Sequence, residues 1–499
     1  MKFFRLNRGL NWQLYPCFLN IRESTILRRK LSDHGIKVRT PLSGITRTLG
    51  QPSPDSHPHL LKANELVPGF TVKDFIERRE KLVMEILKFK SGIFQVILVP
   101  SSPIHYMTEK IPYVFRQNTD FRYLTGCLEP DSALLIVIES ENKFRSTLFL
   151  REKNNHSELW EGPRTGVEIA PDVFGVDDAK PFQELENVLR DIGNKNVTLW
   201  YDALNPVNAV VHRCVASFLS DKGEKELFEV RQKIHELRVV KSLAEQELMI
   251  KSAEIASDAI KLTLMSTKPG VTEHQLFATV DYHCRMKGAE FLAYPPVVAA
   301  GDNANIIHYI NNSQQIKKED LILMDAGCEL HGYCSDITRT WPASGSFSPF
   351  QRTLYDVVLS VQLDLISSCR DISSLDHLFT IMCKLLGRRL KEAHVLSKAA
   401  SNLTLEQIAF KLCPHHVGHY LGMDVHDTAT VPRKAQLKEG MIITVEPGLY
   451  INSTNILTKP EFRGIGIRIE DDVLFTNKGP KVISTCPKSV DEIENLCKR

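Results

Sequence analysis

At 499 residues the chain is too long for one ordinary core, and a domain size of roughly 100 to 200 residues calls for two or more folded units. Hydrophobic residues make up 43% and charged residues 24%, and no apolar run approaches the roughly 18 to 20 residues that cross a bilayer, so membrane insertion is excluded. The 62 lysines and arginines balance 60 acids, which argues against nucleic acid or another polyanion as partner.

The first thirty residues stand apart: Lys2, Arg5, Arg8, Arg22, Arg28, Arg29 and Lys30 are basic, and Glu23 is the only acid. An Arg-rich, acid-poor start suits a mitochondrial transit peptide, because the membrane potential pulls positive charge inward. A secretory signal fits less well, since no sustained apolar stretch precedes a small-residue cleavage site. The expected location is mitochondrial, with room for a cytoplasmic pool. Proline-rich "GQPSPDSHPHLL" marks a junction, so transit peptide and disordered leader are assigned to 1–58. Beyond it "VKDFIERREKLVMEILKF" has helical apolar spacing, while "FQVILVP", "SALLIVI" and "STLFLR" read as short strands between turns. Together they make an α/β domain over 59–230.

A second domain, 231–499, opens on the helix "SLAEQELMIKSAEIASDAIKL", with Ser242 and Glu245 in capping-box spacing. Its further helices are "TEHQLFATVDYHCRMKG" and "HLFTIMCKLLGRRLKEA", and its strands "LILMDAG", "SDITRTWP", "MIITVEPGLYI" and "GIGIRIEDDVLFT". The fold class is therefore mixed α/β (α+β). Eleven cysteines without a C-x-x-C pair or a regular ladder argue against a disulfide scaffold and a structural zinc site. Cys328 and Cys334 read as two reduced cysteines in one hairpin.

Acidic residues inside apolar strands are the anomaly of the second domain, because a lone buried carboxylate suffers several kcal/mol of desolvation unless a cation or donor compensates it. Asp325 ends "LILMD", Asp336 sits in "CSDITRTW", Glu446 in "ITVEPG" and Glu470 in "IRIEDD". Between the second and third lies "HHVGHYLGMDVHD", residues 415–427, with four histidines and two aspartates. Oxygen-rich ligation with one imidazole suits a pair of divalent first-row cations such as manganese, iron or cobalt. Bridging carboxylates hold two such ions roughly 3 to 4 Å apart, and a shared water loses a proton near neutral pH to become a nucleophile.

In order and spacing, "LMDAGCELHGYCSDITRTWP", "HHVGHYLGMDVHD", "VEPGLY" and "RGIGIRIEDD" resemble the pita-bread metallopeptidases, which include aminopeptidase P, prolidase and methionine aminopeptidase. "FRQNTDFRYLTG" and "ELWEGPRTG" resemble the amino-terminal creatinase/aminopeptidase P-like domain of the aminopeptidase P branch. The resemblance implies a pita-bread catalytic domain in which Asp325 holds one ion, His419 and Glu446 the other, and Asp336 and Glu470 bridge the two, the ions being manganese. His426 matches the residue that hydrogen-bonds the scissile amide region, His308 one that helps hold that group, and His415 a histidine lining the leaving-group side. His416 matches nothing and reads as packed or surface. Tyr294 falls where a substrate-contacting tyrosine is expected, with a strand-end cap as the alternative. Arg468, two residues before Glu470 on a strand, points to the same face and can supply a guanidinium to the ligand carboxylates, a plain salt bridge being the alternative.

The implied reaction is removal of the first residue from peptides with proline second, by attack of a hydroxide bridging the two metals. Glu446 would take the water's proton and pass it to the departing proline nitrogen. Asp120 matches a carboxylate suited to the substrate's ammonium group and Trp160 could wall off the same end. Both are implied to reach the site across the interface of a homodimer. The rival in the same family is prolidase, a dipeptidase that binds the free carboxylate of proline; a metal-free binding scaffold is the rival from another class, and the complete ligand set argues against it.

Overall fold

The structure is a computed structural model, and it describes residues 48–89, 94–140, 143–221 and 224–497. The expected transit peptide lies outside the described residues. Residues 48–58, assigned above to the disordered leader, are instead packed onto the first domain: Leu49, Gln51 and Ser53 are buried, and the Gln51 side chain donates to the Gly126 carbonyl and accepts from the Leu128 amide. Two paired side-chain hydrogen bonds in a buried setting fix this stretch despite its prolines.

The first domain is built on a six-stranded mixed sheet in the order Lys225–Phe228, Val197–Trp200, Gln95–Pro100, Ala133–Ser140, Lys143–Leu150, Asp178–Pro181. The central strand is apolar along its length because both faces are covered. Val96 and Leu98 pack with Leu189, Val211 and Val215 of the helices Leu185–Ile192 and Ala209–Ser220, whereas Ile97 and Val99 pack with Phe75, Leu82 and Ile86 of Val72–Phe89. The alternation of the strand thus separates two cores.

A linker helix, Val230–Arg238, leads to the second domain and its long helix Leu243–Ser266. That helix begins where expected: Ser242 and Glu245 exchange the reciprocal bonds of a capping box. The strand Leu321–Ala326 pairs antiparallel with Val297–Ala300 on one side and Ile337–Pro342 on the other, setting Asp325 opposite Thr338. Two expected long strands are each broken. "MIITVEPGLYI" divides into Ile442–Val445 and Gly448–Ile451, and "GIGIRIEDDVLFT" into Ile465–Arg468 and Asp471–Thr476. Pro447 has no N–H to donate, and the ladder changes partners at its level: Val445 faces Asp471 in one pair and Gly448 faces Arg468 in the next. Glu446 and Glu470 therefore sit together at the shared break, outside the regular ladder. Cys328 and Cys334 lie on the paired strands Cys328–Leu330 and Tyr333–Cys334, buried and unbridged. Among the described residues no helix is long and apolar enough to cross a membrane.

Candidate metal centre

The carboxylates of Asp325, Asp336, Glu446 and Glu470 are brought together at the ends and breaks of these strands. Asp325 Oδ1 accepts from the Tyr294 hydroxyl at 2.5 Å and its Oδ2 from Arg468 Nη2 at 2.6 Å. The same Tyr294 hydroxyl reaches Asp336 Oδ1. A phenol has one proton, so it satisfies one of the two carboxylates at a time. Asp336 Oδ2 lies 3.3 Å from His419 Nε2, and Glu446 Oε1 3.6 Å from the same nitrogen. The other ring nitrogen of His419, Nδ1, is 3.0 Å from the Tyr420 carbonyl. A carbonyl can only accept, so Nδ1 carries a proton and Nε2 is the nitrogen that faces the acids, free to be a ligand once its own proton is displaced. Ligand atoms of Asp336, His419 and Glu470 all lie within 4.8 Å of one another.

The charge in this cluster does not close. Among the described residues the one permanent cation that hydrogen-bonds any of the four carboxylates is Arg468. Burial, reinforced by Asp325, raises the Asp336 carboxyl above its usual range; burial, with Asp336 and Glu446, pushes Glu470 well up. Burial lifts Glu446 to about 7 even though His419 and Arg468 oppose it. Burial disfavours the imidazolium of His419, yet Asp336 and Glu446 outweigh it and raise the group to about 9. Asp472, fully buried, accepts at Oδ2 from the Asp336 amide at 3.2 Å, and its Oδ1 is without a hydrogen-bond partner. Carboxylates packed this closely need either protons or cations, and bound cations reverse every one of these upward shifts.

Around the acids runs a second ring that sequence reasoning only partly found. Arg468 was expected on the Glu470 face and is there, with Asp325 as its carboxylate. It also donates to Thr338 Oγ1 at 3.1 Å and to the Tyr450 hydroxyl at 2.7 Å. Thr338 in turn donates to Glu470 Oε2 at 2.6 Å, and Thr444 to Glu446 Oε1 at 3.2 Å. Tyr450 continues to His415 Nε2 at 2.8 Å, and His415 Nδ1 is 2.8 Å from the His416 carbonyl. Thr338, Thr444, Tyr450 and Asp472 were missed. A spacing signal was present for three of them: Thr338 stands two residues from Asp336, Thr444 two from Glu446 and Tyr450 four from it, intervals that share a face in an unbroken strand.

His426 is exposed, with its ring 4.4 Å from that of His419 and nearly perpendicular to it. Desolvation, with His419 and His308 nearby, holds it at about 4, so it is neutral near pH 7 and able to donate or accept a hydrogen bond. His415 is likewise held at about 4, by burial and then Arg468, and His308 bears on both rings. The Tyr294 hydroxyl engages Asp325 and Asp336. His416 stacks on Phe379 at 4.7 Å, and its Nε2 lies 3.4 Å from Asp376, a packed histidine away from the acids. Asp120 is paired with the buried Arg238 through one carboxylate oxygen. Trp160 is 77% exposed on the helix Asn155–Glu161, apart from the acids of its own chain.

Comparison with known proteins accords with this arrangement. Residues 247–477 match the metallopeptidase family M24, and residues 75–200 match the aminopeptidase P N-terminal domain. Xaa-Pro aminopeptidase 3 of Rattus norvegicus is 41% identical over 463 residues, covering 91% of this chain and 91% of its own. Intermediate cleaving peptidase 55, mitochondrial, of Arabidopsis thaliana is 38% identical, covering 94% and 92%. The structure of proline aminopeptidase P II from Yersinia pestis superposes with a TM-score of 0.80 at 32% identity, covering 86% of this chain and 100% of that one. The chain belongs to the M24 metallopeptidases, whose chemistry uses divalent metal ions. With an aminopeptidase P N-terminal domain ahead of the M24 domain it falls in the aminopeptidase P branch, beside the Xaa-Pro aminopeptidase 3 proteins.

Proposed function

We propose that the protein removes the amino-terminal residue from peptides that carry proline in second position, using two divalent metal ions, manganese in the cell. The observation that carries this is the cluster of four acids and one imidazole whose charge a pair of cations would complete. The donor set fits: Asp325 would hold one ion, His419 and Glu446 the other, and Asp336 and Glu470 would be shared. When bound, such ions lend Lewis acidity to the scissile carbonyl and bring a water close to deprotonation near neutral pH.

The chain's own residues do the rest. Glu446, at the break between two strands with Thr444 donating to its Oε1, takes a proton from water and delivers it to the proline nitrogen, which is strongly basic once freed. Neutral His426 donates to the scissile amide region, His308 and His415 assist there, and Arg468 fixes Asp325 while Tyr450 ties it to His415. The X-Pro bond has no N–H, so a site that grips it must use the carbonyl and the ring.

The domain division 59–230 and 231–499 follows from the same reading, with residues 48–58 added to the first unit. A homodimer is supported by large apolar side chains left in solvent: Tyr106, Met107, Ile111, Tyr113 and Val114 in and beside one hairpin, and Leu159 and Trp160 on one short helix. Trp160 would then serve a partner's site. A mitochondrial location is supported by the basic first thirty residues and by the name of the Arabidopsis relative. Prolidase activity is not favoured, since the Rattus norvegicus relative and the Yersinia pestis structure are both named aminopeptidases.

The test uses metal-stripped enzyme with manganese, cobalt and zinc restored in turn, comparing an Xaa-Pro-Pro tripeptide with an Xaa-Pro dipeptide. Metal-dependent release of the first residue from the tripeptide is expected. Cleavage confined to the dipeptide, or cleavage indifferent to metal, would overturn the proposal.

A further inference from the structure

A second charged cluster lies where the two domains meet, and it differs from the metal centre in being closed. Four acids, Asp120, Glu329, Asp424 and Asp427, face four cations, Arg116, Arg122, Arg238 and Lys241. Arg238 ends the linker helix and is 2% exposed. One arm of its guanidinium donates to Asp120 and to Thr119 Oγ1, both in the first domain; the other donates to Asp424 at 2.9 Å and Asp427 at 2.6 Å. Lys241 holds the second oxygen of Asp427 at 3.1 Å. Asp424 and Asp427 bracket His426, leaving Val425 as the only other residue between them.

The loop that carries His426 is held on every side. Thr119 donates to Asp424 at 2.8 Å, Arg116 to the Met423 carbonyl at 2.9 Å, and His235 of the linker helix lies 2.9 Å from Thr430 Oγ1. A Cβ on Gly422 would stand 2.4 Å from Asp427 Oδ2. Thr428 is kept at φ +48°, buried, with its hydroxyl unpartnered. A β-branched residue in the left-handed region persists only where its surroundings over-determine it.

We propose that Arg238 is a positioning residue for the reaction: through Asp424 and Asp427 it fixes the 422–430 loop and so the place of His426 beside His419, making the first domain part of the catalytic apparatus. This rests on His426 being a substrate-binding group. A guanidinium suits the task because its planar fork can hold two carboxylates on one arm while the other arm reaches across the domain boundary, which a lysine ammonium cannot do at one point.

The experiment is a double-mutant cycle on the full, manganese-loaded enzyme with His426→Ala, Arg238→Lys and the pair, reading kcat/KM on an Xaa-Pro-Pro peptide, metal content, and amide exchange over 422–430. His426→Ala alone should cost on the order of 100-fold. Arg238→Lys should cost ~10 to 100-fold with both metals retained and faster exchange in the loop. In that background His426→Ala should cost only the remainder, about 1- to 10-fold in place of 100-fold, since coupled effects do not add. If the two losses multiply in full, or the loop exchanges as before, Arg238 is merely structural and the inference falls. A silent His426→Ala refutes instead the substrate-binding role beneath it. Should Arg238→Lys not fold, the same cycle is run with Asp424→Asn, whose side chain is 32% exposed, and the same outcomes decide.

Discussion

Replacing Glu446 by glutamine should make the metal-free protein more stable at neutral pH, although it removes a proposed metal ligand. The folded carboxyl keeps its proton up to about pH 7, mainly through burial, whereas an unfolded glutamic acid releases it near 4.5. Its contribution to stability is thus complete below pH 4.5 and lost as pH rises through 7; a change from 4.5 to about 7 corresponds to about 3 kcal/mol. Glutamine never ionises, so the variant and the wild type should melt together at pH 4.5 and part progressively above it. By pH 8 the variant should be ahead by roughly 3 °C, from a per-residue unfolding entropy of about 2 cal/mol/K over the folded chain. Removing the charge also relieves Asp336 and Glu470, which reinforces the sign. The assay is thermal unfolding in excess chelator from pH 4.5 to 8, repeated after manganese is restored, where the order should reverse because the carboxylate now serves a cation. A variant less stable than the wild type at pH 8 without metal would show that Glu446 does not sit in a charge-starved cluster and would refute the electrostatic case for the centre.

Asp336→Asn should abolish hydrolysis of an Xaa-Pro-Pro peptide while far-ultraviolet circular dichroism stays native and elemental analysis shows metal lost; full activity would remove its bridging role. Tyr450→Phe deletes one hydroxyl that joins Arg468 to His415 and should lower kcat/KM by ~10 to 100-fold with metal content little changed. Gly418→Ala would place a Cβ 2.0 Å from the Thr444 carbonyl oxygen, beside His419, and backbone cannot yield as a side chain can; we expect loss of soluble protein or a melting temperature several degrees lower.

The sequence made some features plain because they are local. A serine three residues ahead of a glutamate before an apolar run is the capping box that opens Leu243–Ser266, and acids placed in apolar strands are the four that meet at the centre. What it hid is set by topology. Nothing in "MIITVEPGLYI" or "GIGIRIEDDVLFT" tells that both ladders switch partners at one level, although Pro447 hints at the first break. The spacing that found Arg468 would equally have found Thr338 and Tyr450, but neutral hydroxyls in strands carry no desolvation anomaly to draw the eye. The ion pair of Asp120 was hidden because its partner, Arg238, lies 118 residues further on, at the end of a helix whose pattern says nothing of what its last side chain will meet.

The two charged clusters show why residue type alone could not separate ligand from clamp. Both draw on aspartate, glutamate and histidine from distant segments, and the histidine-rich stretch 415–427 contributes to each: His419 to one, Asp424 and Asp427 to the other. At the domain junction every acid has its own cation within the protein, so the cluster is complete without a ligand and its effect is to hold geometry. At the strand breaks four carboxylates share one guanidinium as permanent cation, and the hydroxyls of Tyr294, Thr338 and Thr444 supply hydrogen bonds but no charge, so the fold leaves negative charge that only protons, on His419 or the acids, or metal ions can balance. That difference in local charge balance is what assigns chemistry to the second cluster and positioning to the first, and His426 stands where the two meet.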